Sequence, residues 1–492
     1  INSGSVHVPA AKMLTVTGSI TNNTDVNGLI VKADETGMLP NGTLIFQNAP
    51  TSPFLATVEM YSKSTTDLSA VQGSKYNWQY FGIPVRSYNM GNPALEGVFV
   101  REYNENGTTQ AAQCSFKGYE IAPNTNQISG VKHNFTGVLE NRSYQSGLLG
   151  YTSGAFNQGY NLLANPYTAA INMASINYGA DMMQTIYLYS SGSFNAWNSW
   201  NLTEPKDTTN ANVGGQYVAV PKLLAGVDGL PATIPSMQAF IVRATGNVSD
   251  SIGIPYVTSA IKNTELQRAR REQTESTVST KILVTGASKK ADCMWIFSNA
   301  NCTRGFDNGY DGEKMFGSVL APQIFAAEAS GDYQVNAVND INNTEIGFKA
   351  GSDTNYTLTF IHNNLDSRYS ALYLVDLQNN TTIDITASGS QYTFTVADQL
   401  SANRFKIVTA AEDPTSVTNP SEAKQFKVFT SGKLIFVINL SNDNGYVELY
   451  NIAGQYIQKL PFGANGITTL TTQLIPGSYV VKATTTKSNQ QV

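Results

Sequence analysis

The sequence predicts an all-β chain of several domains, and three observations carry that prediction. Short runs of Val, Ile, Leu, Tyr and Thr alternate with polar residues along nearly the whole length, bounded by clusters of Gly, Asn, Ser and Pro. Charged residues make up only 14% of the chain, so Asn, Thr, Ser, Gln and Gly fill the polar quota, with 25 Tyr. Thr and Tyr suit a pleated surface, while Asn and Gly accept the positive φ of tight turns. At 492 residues the chain also exceeds one ordinary core, which implies about three or four domains.

Residues 1–52 carry brief β runs at 4–9, 14–20, 28–33 and 42–48, each broken by Gly or Asn. This spacing suits β-solenoid-like N-terminal rungs, read as the capping end of a longer array, or the first strands of a sandwich. The chain opens at Ile1 within such a run, so an export signal is expected to lie upstream. Residues 53–261 continue as strands around 58–61, 78–85, 97–103, 118–121, 161–167, 185–189, 217–220 and 238–242, with a short helix expected near 169–176 after Pro166. Many short strands at such intervals predict a β-sandwich or jelly roll.

A polar segment, 262–279, separates this block from a second one. There, 280–410 presents strands around 282–284, 293–297, 335–337, 346–348, 356–360, 371–376, 392–395 and 404–408, the complement of one more β-sandwich. Pro414 and Pro420 break the periodicity of 411–423, which reads as a linker. Residues 424–492 hold closely spaced strands with turns at Ser431-Gly432, Ala453-Gly454 and Pro476-Gly477, the pattern of a small Ig-like sandwich.

Charge and motifs remove several function classes. The net charge is −5, and the one dense basic run, Arg268, Arg270 and Arg271, is flanked by Glu265, Glu272 and Glu275; a nucleic-acid groove needs clustered cations, so nucleic acid is not an expected partner. No stretch approaches the ~20 apolar residues of a transmembrane helix. The sequence contains no GxSxG, HExxH, P-loop or GxGxxG motif, and its histidines, His7, His133 and His362, fall far apart. A non-catalytic role without a resident cofactor is therefore expected.

A few candidate sites remain. Phe194, Trp197 and Trp200 concentrate aromatics among Asn residues, either to stack on a glycan or to cover the sandwich. Asp307 and Asp311 lie in the loop Asp307-Asn308-Gly309-Tyr310-Asp311-Gly312-Glu313, which is open to two readings, a Ca²⁺ loop or a plain Asp/Gly turn; the EF-hand spacing itself is not met. Cys293 and Cys302 flank a turn-like segment and either pair across a hairpin or stay as buried thiols, while Cys114 has no evident partner.

The tail carries Val447-Glu448-Leu449-Tyr450-Asn451-Ile452-Ala453-Gly454-Gln455 and Leu474-Ile475-Pro476-Gly477-Ser478-Tyr479-Val480-Val481-Lys482. In these segments it resembles the C-terminal type A sorting domain of Bacteroidota type IX secretion substrates, through Leu449, Asn451, Gly454, Gln455, Gly477, Tyr479 and Lys482. It departs from that pattern at 488–492, which lack a Lys-rich strand. The resemblance extends to the large β-rich surface proteins of that phylum, through 78–85, 160–167, 234–242 and 305–315. It implies an exported, structural or adhesive protein on the exterior of the outer membrane, with the type IX machinery and a surface glycan or neighbouring surface protein as partners. It also implies O-glycosylation at Thr208 and Ser251, which follow Asp207 and Asp250. A secreted glycan-binding or hydrolase-accessory protein, and a self-assembling filament or layer subunit, are the alternatives.

Overall fold

A computed structural model describes residues 1–485 apart from 36–38, 49–52, 69–74, 87–94, 105–106, 110–115, 127–130, 148, 156, 191–215, 247–249, 259, 263–276, 397–402, 412–425, 432–433, 440–442, 453, 465 and 472–478. The described residues are almost wholly strands and turns, interrupted by 3-10 turns at Met173–Ser175, Lys222–Leu224 and Leu365–Ser367.

At the N-terminal end, successive strands stack in parallel. Val6–Val8 pairs with Leu29–Val31, which pairs with Leu55–Ser62, and Met13–Val16 pairs with Thr43–Phe46. The register places Val8 against Val31 and Val31 against Val58, and all three are buried, so one apolar column runs through the stack. The antiparallel strand Val131–Leu139 then joins the other side of Leu55–Ser62. The sheet and its core thus cross residue 52 without a break. Val131–Leu139 is absent from the sequence expectation because its inward positions include His133 beside Phe135, while Lys132, Asn134 and Thr136 face outward.

The helix expected near 169–176 is replaced by the strand Ala170–Asn172 and a single 3-10 turn. The Asn172 side chain accepts from the Ala174 N–H, and Ile176 is already extended, so the turn does not propagate. Ala169, Ala170, Ile171, Met173 and Ile176 are all buried, which leaves no polar helical face.

The later block forms one long curled sheet. Its order is Thr381–Asp384, Tyr369–Asp376, Asn403–Ala411, Glu345–Lys349, Gln323–Glu328, Gly331–Val338, Ala291–Ser298, Val278–Gly286, Asn355–Asn363 and Gln391–Thr395, with Gly312–Glu313 also on Gly331–Val338. Phe394 lies at one end of this path and Phe405 towards the other, yet their ring centroids are 5.0 Å apart. The sheet therefore folds over on itself, and Phe348 and Tyr356 complete the aromatic core between its halves.

Strand Ala291–Ser298 is buried along both faces. Cys293, Trp295 and Phe297 enter a core shared with residues 149–261 of the preceding block, whereas Met294 and Ile296 enter the core of the curled sheet. A strand covered on both sides reads as a continuous apolar run rather than an alternation. Packing is thus continuous across the polar segment 262–279 that the sequence suggests as a domain boundary.

The C-terminal unit is two three-stranded sheets, Phe426–Ser431/Leu434–Asn439/Gly466–Thr471 and Tyr456–Phe462/Gly445–Asn451/Tyr479–Thr485. Ile435, Val437, Val447, Leu449, Phe462, Leu470 and Ala483 fill the space between them.

Candidate functional site

The loop 303–312 joins strands from different parts of the chain. Asp307 Oδ2 accepts from the Thr303 N–H at 2.6 Å and from its hydroxyl at 3.1 Å. Asp311 Oδ2 accepts from the Asp307 N–H at 2.6 Å, and Asp311 Oδ1 from the Ala337 N–H at 2.7 Å. Asn308 accepts from the Gln184 N–H and donates to the Met182 carbonyl, while the Thr185 hydroxyl donates to the Asp311 carbonyl. The loop is therefore a clasp between Met182–Ser190 and Gly331–Val338. Three of its four carboxylate oxygens, Asp307 Oδ2 and both of Asp311, already accept hydrogen bonds from the protein itself, as in a self-closed Asp/Gly turn. Of the two readings the sequence leaves open for Asp307 and Asp311, these contacts favour the Asp/Gly turn; among the described residues no group of three or more His, Cys, Asp or Glu is placed to hold a metal.

Asp311 is fully buried, and burial pushes its carboxyl up to about 7 against the pull of the Ala337 and Asp307 N–H groups. The folded state then holds a proton that the unfolded chain releases near the ordinary value of 3.8, so stability falls as pH rises from about 4 to about 7. Asp311→Asn is expected to remove this slope, worth on the order of 2–4 kcal/mol across that window. Urea midpoints of both forms at pH 4.5 and pH 7 test it, and equal slopes would reject the assignment.

Cys293 and Cys302 are both buried free thiols, so the hairpin disulfide is corrected as well. The strand bearing Cys293 does not turn back on itself after residue 298. It runs parallel to Gly331–Val338, and Cys302 lies beyond its end in a turn whose N–H donates to the Asn299 carbonyl. The two sulfurs therefore never come to lie on facing strands. Burial pushes both thiols up to about 12, helped at Cys302 by Asp307 and Asp311. Neither is poised as a thiolate nucleophile.

Phe194, Trp197, Trp200 and Thr208 lie outside the described residues, as does Cys114. The strands that flank 191–215 carry a different aromatic row, which the sequence reading misses. Tyr80 stacks on Tyr189 at 4.6 Å, Tyr189 meets Tyr217 at 5.0 Å, and the Tyr80 and Tyr217 hydroxyls are 3.0 Å apart. On the neighbouring sheet that carries Tyr80, the Arg101 guanidinium lies 3.5 Å from the Trp78 ring centroid and pairs with Glu120 at 2.6 Å. The available signal is the two-residue spacing Trp78/Tyr80 and Tyr187/Tyr189, which puts each pair on one sheet face. Ser251 is half-buried; its hydroxyl accepts from the Gln145 amide at 2.6 Å, and its N–H donates to Asp250.

A cleft of about 600 Å³ opens between Leu223, Leu224, Phe297, Tyr310 and Arg368. The Arg368 guanidinium is engaged by the Ser298 hydroxyl and the Asn339 carbonyl. Its described lining offers no carboxylate, histidine or cysteine, hence no acid–base pair.

In the C-terminal unit, Asn451 and Gln455 close a hairpin. The Asn451 side chain accepts from the Gln455 N–H at 2.9 Å and donates to the Gln455 amide oxygen at 2.8 Å. Gly454 between them has φ +78°, where a Cβ is disfavoured. Leu449 is buried, Tyr479 is the register partner of Asn451, and Lys482 that of Glu448. Gly477 lies outside the described residues.

Comparison with known proteins adds a family. A family described as Domain of unknown function (DUF8693) matches residues 7–408, which takes in the parallel stack, the middle sheets and nearly all of the curled sheet. The chain belongs to this family. It is also 30% identical over 499 aligned positions to the minor fimbrium subunit Mfa5 of Porphyromonas gingivalis, with 96% of this chain covered. The chain spans 39% of that relative's length. The family match ends before the C-terminal pair of sheets begins.

Proposed function

We propose that the chain is a non-catalytic structural or adhesive part of a bacterial surface protein, associated with fimbriae and exposed outside the outer membrane. The observation that carries this reading is the 30% identity, spread over 96% of the chain, to a minor fimbrium subunit. The physical character of the molecule is in keeping with it: a sparsely charged scaffold built almost wholly of strands and turns. Neighbouring surface proteins are the partners this reading implies.

Delivery by a type IX route through the C-terminal unit is the finer proposal. It is supported by the Asn451–Gln455 clasp around Gly454 and by the separate small core beneath Leu449. In the encoding organism, antibodies raised against 7–408 are expected to label the cell exterior or its fimbriae by immunoelectron microscopy. Deleting 424–492 is expected to abolish that labelling and leave the chain within the envelope. Wild-type labelling confined to the cell interior would reject the surface reading, whereas unchanged labelling after the deletion would reject only the sorting role.

A further inference from the structure

Lys314 and Asp292 form the most deeply buried ion pair among the described residues. Their Nζ and Oδ2 are 2.5 Å apart and neither side chain is exposed at all. Asp292 sits on Ala291–Ser298, and Lys314 directly follows the short strand Gly312–Glu313, so the contact ties two segments separated by 22 positions. Oδ2 also accepts from the Ile324 N–H at 2.8 Å, while Oδ1 is buried and meets no donor in good hydrogen-bond geometry, although the neighbouring Cys293 N–H also pulls on the carboxylate. A permanent ion pair is poorly served there, because removing both charges from water costs several kcal/mol per ion unless further hydrogen bonds complete the shell. A neutral link between the same atoms asks for much less.

We propose that Lys314 and Asp292 are the precursors of an intramolecular amide cross-link that the folded chain forms by itself. One proton passes from the lysine ammonium to the Asp292 carboxylate and comes to rest on Oδ1, giving neutral amine and neutral acid. Burial, which raises the Asp292 carboxyl against the opposing pull of Lys314, favours that transfer. The Nζ lone pair attacks Cγ, the N–Cγ bond forms, and a second proton moves from nitrogen to Oδ1. The Cγ–Oδ1 bond then breaks and water leaves. Oδ1 is thus the oxygen lost, and Oδ2 becomes an amide carbonyl that keeps the Ile324 N–H. Both charges disappear, no oxidant or co-reactant is consumed, and the apolar, close-held geometry supplies proximity.

The cross-link would fasten Ala291–Ser298, the strand buried on both faces, to the loop leading out of the Asp307–Asp311 clasp. This inference does not depend on the surface reading, since it concerns the chemistry of two side chains.

Mass spectrometry of the purified, denatured chain tests it. The expected intact mass is lower than the sequence mass by one water. Trypsin, cutting after Lys290 and Arg304, is expected to release a branched peptide joining 291–304 to 305–349, with no cleavage after Lys314. Lys314→Arg keeps the cation but not the reactive amine, and is expected to restore the full mass and separate the peptides. The full sequence mass in the wild type, with free 291–304 and 305–314, would overturn the proposal. So would a lost water that maps to any other peptide.

Discussion

Replacing Asp376 with alanine is expected to destabilise the curled sheet by about 3–5 kcal/mol, the usual cost of stripping one partner from a buried ion pair. Asp376 is inaccessible, and Arg404 beside it is nearly so. The carboxylate accepts from Arg404 Nη2 at 2.9 Å, the Tyr392 hydroxyl at 2.9 Å, the Gln378 N–H at 3.0 Å and the Asn379 amide at 3.1 Å. One side chain thus joins Tyr369–Asp376, Gln391–Thr395 and Asn403–Ala411. Alanine leaves the Arg404 guanidinium buried against Phe394 and Phe405 with its carboxylate gone. Urea unfolding reads the loss directly. Replacing Asp376 and Arg404 together with apolar residues is expected to cost less than the single change; a double variant as unstable as the sum of both singles would contradict this view of the pair.

Trp295→Ala is expected to cost a similar ~3–5 kcal/mol, by lost burial and the cavity left behind. Its effect should also reach further along the chain. Trp295 is 1% exposed, its indole N–H donates to the Asp228 carbonyl at 3.1 Å, and it packs in the core that residues 149–261 share with Ala291–Ser298. Hydrogen exchange is therefore expected to quicken in Met182–Ser190 and Ala239–Ala244 as well as in Val278–Gly286. Faster exchange confined to residues after 277 would show the two blocks to be independent.

Much of the all-β character is legible because strands with one solvated face announce themselves by alternation. Asn355–Asn363 is such a strand, with Tyr356, Leu358 and Phe360 inward. The failures have specific causes. Ala170–Asn172 lacks alternation because everything around it is buried, and a preceding proline mimics a helix start. The clasp at 303–312 has a composition shared by cation loops and plain turns, and only the fold reveals that backbone N–H groups reach three of its carboxylate oxygens. Cys293 and Cys302 look paired only if a hairpin follows, and the parallel pairing with Gly331–Val338 is a long-range fact. The Lys314–Asp292 contact likewise joins residues with no local pattern between them.

The position of Asn403–Ala411 has a kinetic consequence. It lies inside the sheet, between Glu345–Lys349 and Tyr369–Asp376, both of which precede it in the chain. A polypeptide that emerges N-terminus first, from a ribosome or through a pore, cannot complete this sheet until residue 411 is free. Until then Tyr369–Asp376 and Glu345–Lys349 each present an unpaired edge, and closing the gap requires strands far apart in sequence to meet. The block should therefore acquire its structure late and in one step, so that its productive folding competes with edge-to-edge association throughout synthesis.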